Sequence, residues 1–194
     1  MQSLIKDFKK YKWFVTSNGK LVIGGKSAAQ NDALLNKVKS ERVTLIVMHT
    51  TSPGSPFTVI LSPLSKISDK EMEECAIFTG CFSQAWKSGK RSTEVDIFRS
   101  DQLYKSNKMK EGMWGVNGKI ERKKVILKLV LTIQKDILRA VPELSIKTKK
   151  DSMLIIIPGK TDKNDLFDEL DKTMYNFTKE EFLSALPAGG SKII

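Results

Sequence analysis

Tyr11-Lys12-Trp13-Phe14-Val15-Thr16-Ser17-Asn18-Gly19-Lys20-Leu21-Val22-Ile23-Gly24-Gly25-Lys26-Ser27-Ala28-Ala29-Gln30-Asn31 sets the architecture of this chain. Two short apolar runs flank Asn18-Gly19, the dipeptide that closes tight hairpins because both of its residues tolerate positive φ. The double glycine ends the second run, and Ser27 with Gln30 three residues later has the form of a capping box opening a helix to about Lys39. Strand, turn, strand and helix in this order start an antiparallel sheet rather than a doubly wound parallel one.

Working outward, residues 43–48 and 57–61 are β-branched strands separated by a Pro/Gly/Ser loop, residues 49–56. Ser68 and Glu71 form a second capping box, followed by apolar residues at three- and four-residue spacings as far as Trp86, so one helix of about 20 residues is expected there. Strand pattern resumes at residues 93–98. Residues 112–118 predict a short strand and turn, and residues 119–134 one long alternating strand. Residues 137–141 follow as strand, and Pro142 breaks the pattern. Beyond it come a buried-type strand at residues 153–157, a short acidic helix at 162–172, a helix capped by Thr178 and Glu181, and a frayed tail from Gly189. The expectation is an α+β fold with a largely antiparallel sheet, one long helix and several short ones. It divides into a domain over residues 1–142 and a strand-helix-helix extension over 143–194 that packs on the same domain.

Scarcity excludes several chemistries. Two cysteines, six residues apart in the expected long helix, are placed too far apart for a disulfide and read as buried thiols. With one distant histidine they cannot make a zinc site, so no metal and no cofactor are expected. No phosphate-loop, dinucleotide or nucleophile-elbow motif occurs. No apolar run is long enough to span a membrane, and the first residues lack a secretory leader, which makes the cytoplasm the expected compartment.

Charge is the informative quantity. The chain has 33 basic and 22 acidic residues, net +11. Residues 87–160 hold 18 basic against 8 acidic, whereas residues 161–194 hold 4 against 7. Such a block suits a polyanion, nucleic acid first. Arg122, Lys124 and Lys128 would share one face of the long strand and follow a phosphate backbone, although edge lysines also guard sheets against aggregation. Trp86 and its helical neighbours read as core, and Trp13 as core before base-stacking platform.

Several short motifs in one order resemble the NFACT RNA-binding (NFACT-R) domain family. Tyr11-Lys12-Trp13-Phe14 and Val22-Ile23-Gly24-Gly25-Lys26-Ser27-Ala28-Ala29-Gln30-Asn31 resemble its YxWF and VIGGRDAxQN. His49 ahead of Pro53-Gly54-Ser55 resembles its PGS loop, and Ala76, Cys81, Ser83, Ala85 and Trp86 its second helix. Val95-Asp96, Gln102-Leu103-Tyr104-Lys105 and residues 112–119 resemble later segments, so the likeness covers about residues 11–130. Lys26-Ser27 departs from the usual Arg-Asp, the acidic residue before PGS is missing from Thr50-Thr51-Ser52, and Pro56 displaces an apolar residue. The resemblance implies a stand-alone member that binds RNA, tRNA or rRNA and through it the large ribosomal subunit, in translation or ribosome-associated quality control, without catalysis of its own. The RNA contacts it implies are Lys26, Gln30, Asn31, His49, Ser52, Gly54, Ser55, Gln102, Lys105, Lys119, Arg122 and Lys123. Two alternatives come from other classes: an RNA-modifying enzyme centred on His49, and an adaptor that docks a protein partner on the acidic C-terminal helices.

Overall fold

The computed structural model describes residues 1–147, 154–170 and 177–194. The expected boundaries at Met153, Asp171 and Lys172 lie outside them. Helix α1 (Gln2–Lys6) leads into β1 (Lys12–Val15) and β2 (Leu21–Gly24), joined at Asn18-Gly19. Helix α2 (Ala28–Lys39) follows, capped by the Ser27 side chain, which accepts from the Gln30 amide. Next come β3 (Ile46–Thr50), β4 (Thr58–Ile60), α3 (Asp69–Cys81), α4 (Gln84–Lys87) and β5 (Ser92–Arg99), then the small pair β6 (Leu103–Tyr104) and β7 (Gly115–Val116). The remainder is β8 (Glu121–Ile126), β9 (Leu129–Gln134), β10 (Ile137–Val141), β11 (Leu154–Thr161), α5 (Lys163–Asp168), α6 (Lys179–Ala185) and β12 (Ser191–Ile193).

A six-stranded sheet runs β1-β2-β4-β3-β5-β8 and a four-stranded sheet β10-β9-β11-β12, with antiparallel pairing throughout. The fold is α+β, as expected. Period-two alternation gives the larger sheet two buried faces. Trp13, Ile23, Val47, Val59 and Phe98 meet α2 and the N-terminal segment on one side. On the other, Phe14, Val22, Met48, Ile60 and Val95 meet α3 and the second sheet. The open edge of β1 does not face solvent: the Gln134 carboxamide accepts from the Val15 amide at 2.7 Å and donates to its carbonyl at 2.9 Å, in place of a neighbouring strand. Trp13 is core, with the buried Arg139 guanidinium 4.8 Å from its ring centre.

Three sequence expectations give way. The single long helix is broken: α3 ends at Cys81, and the Ser83 hydroxyl caps a new turn, α4, by accepting from the Ala85 amide. The expected long strand is two strands in two sheets, because the chain turns at Leu127-Lys128. Arg122 and Lys124 stay exposed on β8, while Lys128 pairs with Glu143 at 2.6 Å and leaves their row. The expected frayed tail is β12, hydrogen-bonded to β11, with Ser191 fully buried. Glycines at 189 and 190 signalled fraying locally, but the pairing partner lies some 35 residues back in the chain, where no local pattern reports it.

Glu71 ties the hairpin to α3. Its carboxylate takes Lys20 Nζ at 2.5 Å and the Thr16 hydroxyl at 2.7 Å while completing the Ser68 capping box. Burial alone would raise its pKa, yet Lys20, Ser68 and Thr16 prevail and lower it to about 2. A carboxyl depressed on folding stabilises above its unfolded pKa and loses that contribution as pH falls towards 2. Glu71→Gln is therefore expected to lower stability at pH 7 by about 2–3 kcal/mol, with the difference from wild type shrinking below about pH 4.5 and gone only below about pH 2; urea titrations across pH measure it. A constant difference at all pH would assign the effect to packing.

Candidate nucleic-acid interface

A cleft of about 660 Å³ opens where the 25–28 turn, the end of β3, the loop before β4, the 110–114 loop and Ala188 converge. Each wall has a local cause. At the turn, a Cβ on Gly25 would fall on the Asn31 side-chain oxygen, which accepts instead from the Phe57 amide at 3.2 Å and so ties the start of α2 to β4. Gln30 accepts from the Lys26 amide and donates to the Lys10 carbonyl. In the β3–β4 loop the Ser55 hydroxyl accepts from the Thr50 amide, and the Thr50 hydroxyl donates to the Ser52 carbonyl. The 110–114 loop is clamped to α2 by Asp32, which takes Lys105 at 3.0 Å and the Trp114 indole N–H at 2.7 Å. Burial opposes ionisation of Asp32, but the Gly112 amide, Lys105 and Trp114 hold its pKa below the usual carboxylate value.

Lys26, Asn31, His49, Gly54 and Ser55 come together at this cleft, five of the twelve residues singled out in the sequence. Gln30 and Lys105 stand behind it as supports, Lys105 also donating to the Lys110 and Met113 carbonyls. Ser52 is exposed on the same loop but does not line the cleft. Gln102 is elsewhere, bridging the Arg99 amide to the Asn117 and Lys119 carbonyls, and with Lys119 it lines a separate hollow. Arg122 is taken by Asp96 at 2.7 Å and Lys123 by Glu73 at 3.2 Å.

His49 sits in β3 rather than in a loop, stacked on Phe57 with ring centres 4.4 Å apart. Its Nδ1 donates to the Thr50 carbonyl at 2.7 Å, leaving Nε2 as an acceptor. Burial chiefly lowers its pKa, against the Thr50 carbonyl, Asp96 and Ser55, so the ring is neutral near pH 7.

Sequence reasoning missed Lys12 and Lys110, which line the cleft together with Trp114. Lys12 occupies the strand phase of Phe14, an apolar phase, and its ammonium lies 4.7 Å from the Phe82 ring centre. Burial first, then Lys163, Arg139 and Lys26, lower its pKa to about 8. A charged residue in the apolar phase of a strand was the available signal. Lys12, Lys26 and Lys110 have no carboxylate partner among the described residues. No group of three or more possible metal ligands occurs among those residues, and no helix among them is long and apolar enough to cross a membrane.

The NFACT protein RNA binding domain family model matches residues 10–118, over half of the chain and both strand-turn walls of the cleft. The chain belongs to this family. It is 28% identical over 200 residues to the archaeal Rqc2 homolog aRqcH of Methanocaldococcus jannaschii, a match covering 97% of this chain and 29% of that protein. It is 31% identical over 100 residues to the ribosome quality control complex subunit NEMF homolog of Drosophila melanogaster, covering 51% of this chain and 10% of that protein. The chain thus spans less than a third of the length of these curated relatives. Its fold is shared with the C-terminal part of the fibronectin/fibrinogen-binding protein of Streptococcus suis, with a TM-score of 0.51, 23% identity and coverage of 61% of this chain and 45% of that one. The archaeal match extends past residue 118, where the family model ends, through most of the C-terminal part of this chain.

Proposed function

We propose that the chain is a non-catalytic RNA-binding unit of cytoplasmic ribosome-associated quality control, taking tRNA or rRNA at the cleft. The observation that carries this reading is the set of three ammonium groups, Lys12, Lys26 and Lys110, unpaired by carboxylates among the described residues and grouped around walls that also hold Trp114 and His49. Phosphates position a strand against cations, and an indole face accepts an unpaired base. The neutral His49 offers Nε2 to a base N–H donor. Its Nδ1 is spent on a backbone carbonyl rather than on a carboxylate or hydroxyl, which supports binding over general-base chemistry. The names of the archaeal and insect relatives support the quality-control setting. The acidic helices α5 and α6 are left for a protein partner.

The test is tRNA binding as a function of pH. A phosphate beside Lys12 raises its pKa above the free-protein value of about 8, so binding takes up a proton and affinity falls as pH rises from 7 through 9. Lys12→Met is expected to weaken binding about tenfold at pH 7 while leaving the melting temperature unchanged or higher, because it removes a buried charge. Lys12→Arg should retain affinity and flatten the pH dependence. Affinity indifferent both to pH and to Lys12→Met would overturn the placement of RNA in this cleft.

A further inference from the structure

A second cavity, of about 930 Å³, lies on the seam between the family-matched segment and the C-terminal elements. Its rim carries Lys87 and Arg91 from either side of Gly89, with Lys160 of β11 and Lys192 of β12 facing them. All four are exposed, and none has a carboxylate partner among the described residues. Glu169 occurs only in the adjoining hollow beyond Lys160 and Lys192, where the basic track ends. Ile126, 64% exposed, supplies an apolar floor. Acidic residues prevail in the C-terminal segment as a whole, and on composition it should pack away from phosphates; its two rim lysines nevertheless complete this basic groove.

The four cations are held in register by buried structure. Trp86 Nε1 donates to the buried Ser191 hydroxyl at 3.2 Å, and the Gly159 amide donates to the Gly190 carbonyl at 3.2 Å. The two backbones cross so closely that a Cβ at either glycine would lie 2.6 Å from the opposite chain. Continuity with the cleft is the deciding feature: Ala188 lines the cleft and Gly190 lines the groove. Two residues of extended chain span at most about 7 Å, so the sites adjoin across this saddle.

We propose that the groove is a second phosphate-binding site, and that one single-stranded RNA segment lies in the cleft, crosses Ala188–Gly190 and continues into the groove. This rests on the RNA-binding reading of the cleft. Cavities of this size admit nucleotides one at a time rather than a duplex, and cations with an apolar floor suit sugar-phosphate and base together. Strand β12 would then serve both to close the core and to carry the RNA path from one site to the next.

The experiment compares the full chain with K160Q/K192Q, binding tRNA, a three-nucleotide and a ten-nucleotide oligouridylate by fluorescence anisotropy between 50 and 200 mM salt. Wild type should hold the decamer more tightly than the trimer. The double variant should melt like wild type, bind the trimer unchanged and hold the decamer more weakly. Two lost single-strand phosphate contacts reduce the log–log salt slope by about 1.4, so salt should weaken the variant's decamer complex about sevenfold less than that of wild type. Equal binding of trimer and decamer, or a variant with an unchanged decamer slope, would overturn the continuous path while tRNA binding keeps the functional reading intact. If wild type binds neither oligonucleotide nor tRNA, both fall. An oligoglutamate of equal charge that binds as tightly as the decamer and loses as much in the variant would replace RNA as the occupant.

Discussion

Removal of residues 151–194 is expected to abolish cooperative unfolding. Strand β11 pairs with β9 along Leu154–Ile156, and the principal core includes Ile156, Leu166, Phe167, Phe182, Ala185 and Leu186, all buried, in contact with residues of the larger sheet and α3. The five large side chains among them contribute about 1.5–3 kcal/mol each, on the order of 10 kcal/mol together and an upper estimate, which is comparable with the whole stability of a typical domain. The edge of β9 and the indole of Trp86 would also be uncovered. Circular dichroism should show a broad, non-cooperative thermal transition, and a hydrophobic dye should bind at 25 °C. A truncated chain with a wild-type urea midpoint would make the C-terminal elements an appendage and remove the physical basis of the groove. A cut after Ala188, harmless if residues 189–194 were frayed, is expected instead to destabilise by at least about 0.5–1.5 kcal/mol, the contribution of the lost Trp86–Ser191 hydrogen bond, because it deletes β12 and its pairing with β11.

Trp86→Ala is expected to cost about 3–5 kcal/mol, with the urea midpoint lowered and the m-value unchanged. Trp86 is fully buried on the short α4, packed in the core that joins both sheets, and its indole N–H reaches Ser191 across 105 residues of sequence. Alanine leaves a cavity that α4, pinned at its start by Ser83, cannot close. Trp86→Phe separates the contributions: it keeps most of the ring volume and drops the hydrogen bond, for a smaller loss of about 1–3 kcal/mol. Its effect on RNA should appear only in the groove, since Trp86 holds β12 and with it Lys192. A Trp86→Ala protein with unaltered stability would mean that core and surface have been exchanged at this helix.

Where structure follows from neighbours within four residues, it was legible. Asn18-Gly19 turns the first hairpin, and Ser27, Ser68 and Thr178 cap the helices their spacings announced. Alternation in β1 to β5 sorts side chains between the two faces of the larger sheet, and the family motifs led to Lys26, Asn31, His49, Gly54 and Ser55, which converge although spread over 30 residues. The identity of the clamps was not legible. Asn31, Gln30, Gln102 and Lys105 have the residue types of nucleic-acid contacts, but their donors and acceptors are taken up by Phe57, Lys10, Asn117 and Asp32, partners that only the folded chain brings near.

Local pattern, capping and charge therefore settled the fold class and the basic character of the surface, and the ordered short motifs pointed to the family, because each depends on groups close in sequence or on composition alone. Tertiary packing decided which cations stay free. Arg122, Lys123 and Lys128 meet Asp96, Glu73 and Glu143, whereas Lys12 enters the cleft beside Phe82, and Lys160 and Lys192 reach the groove of Lys87 and Arg91. The value of a charge to a ligand depends on what already lies within a few ångströms of it, and for these residues those neighbours come from strands and helices tens of residues away.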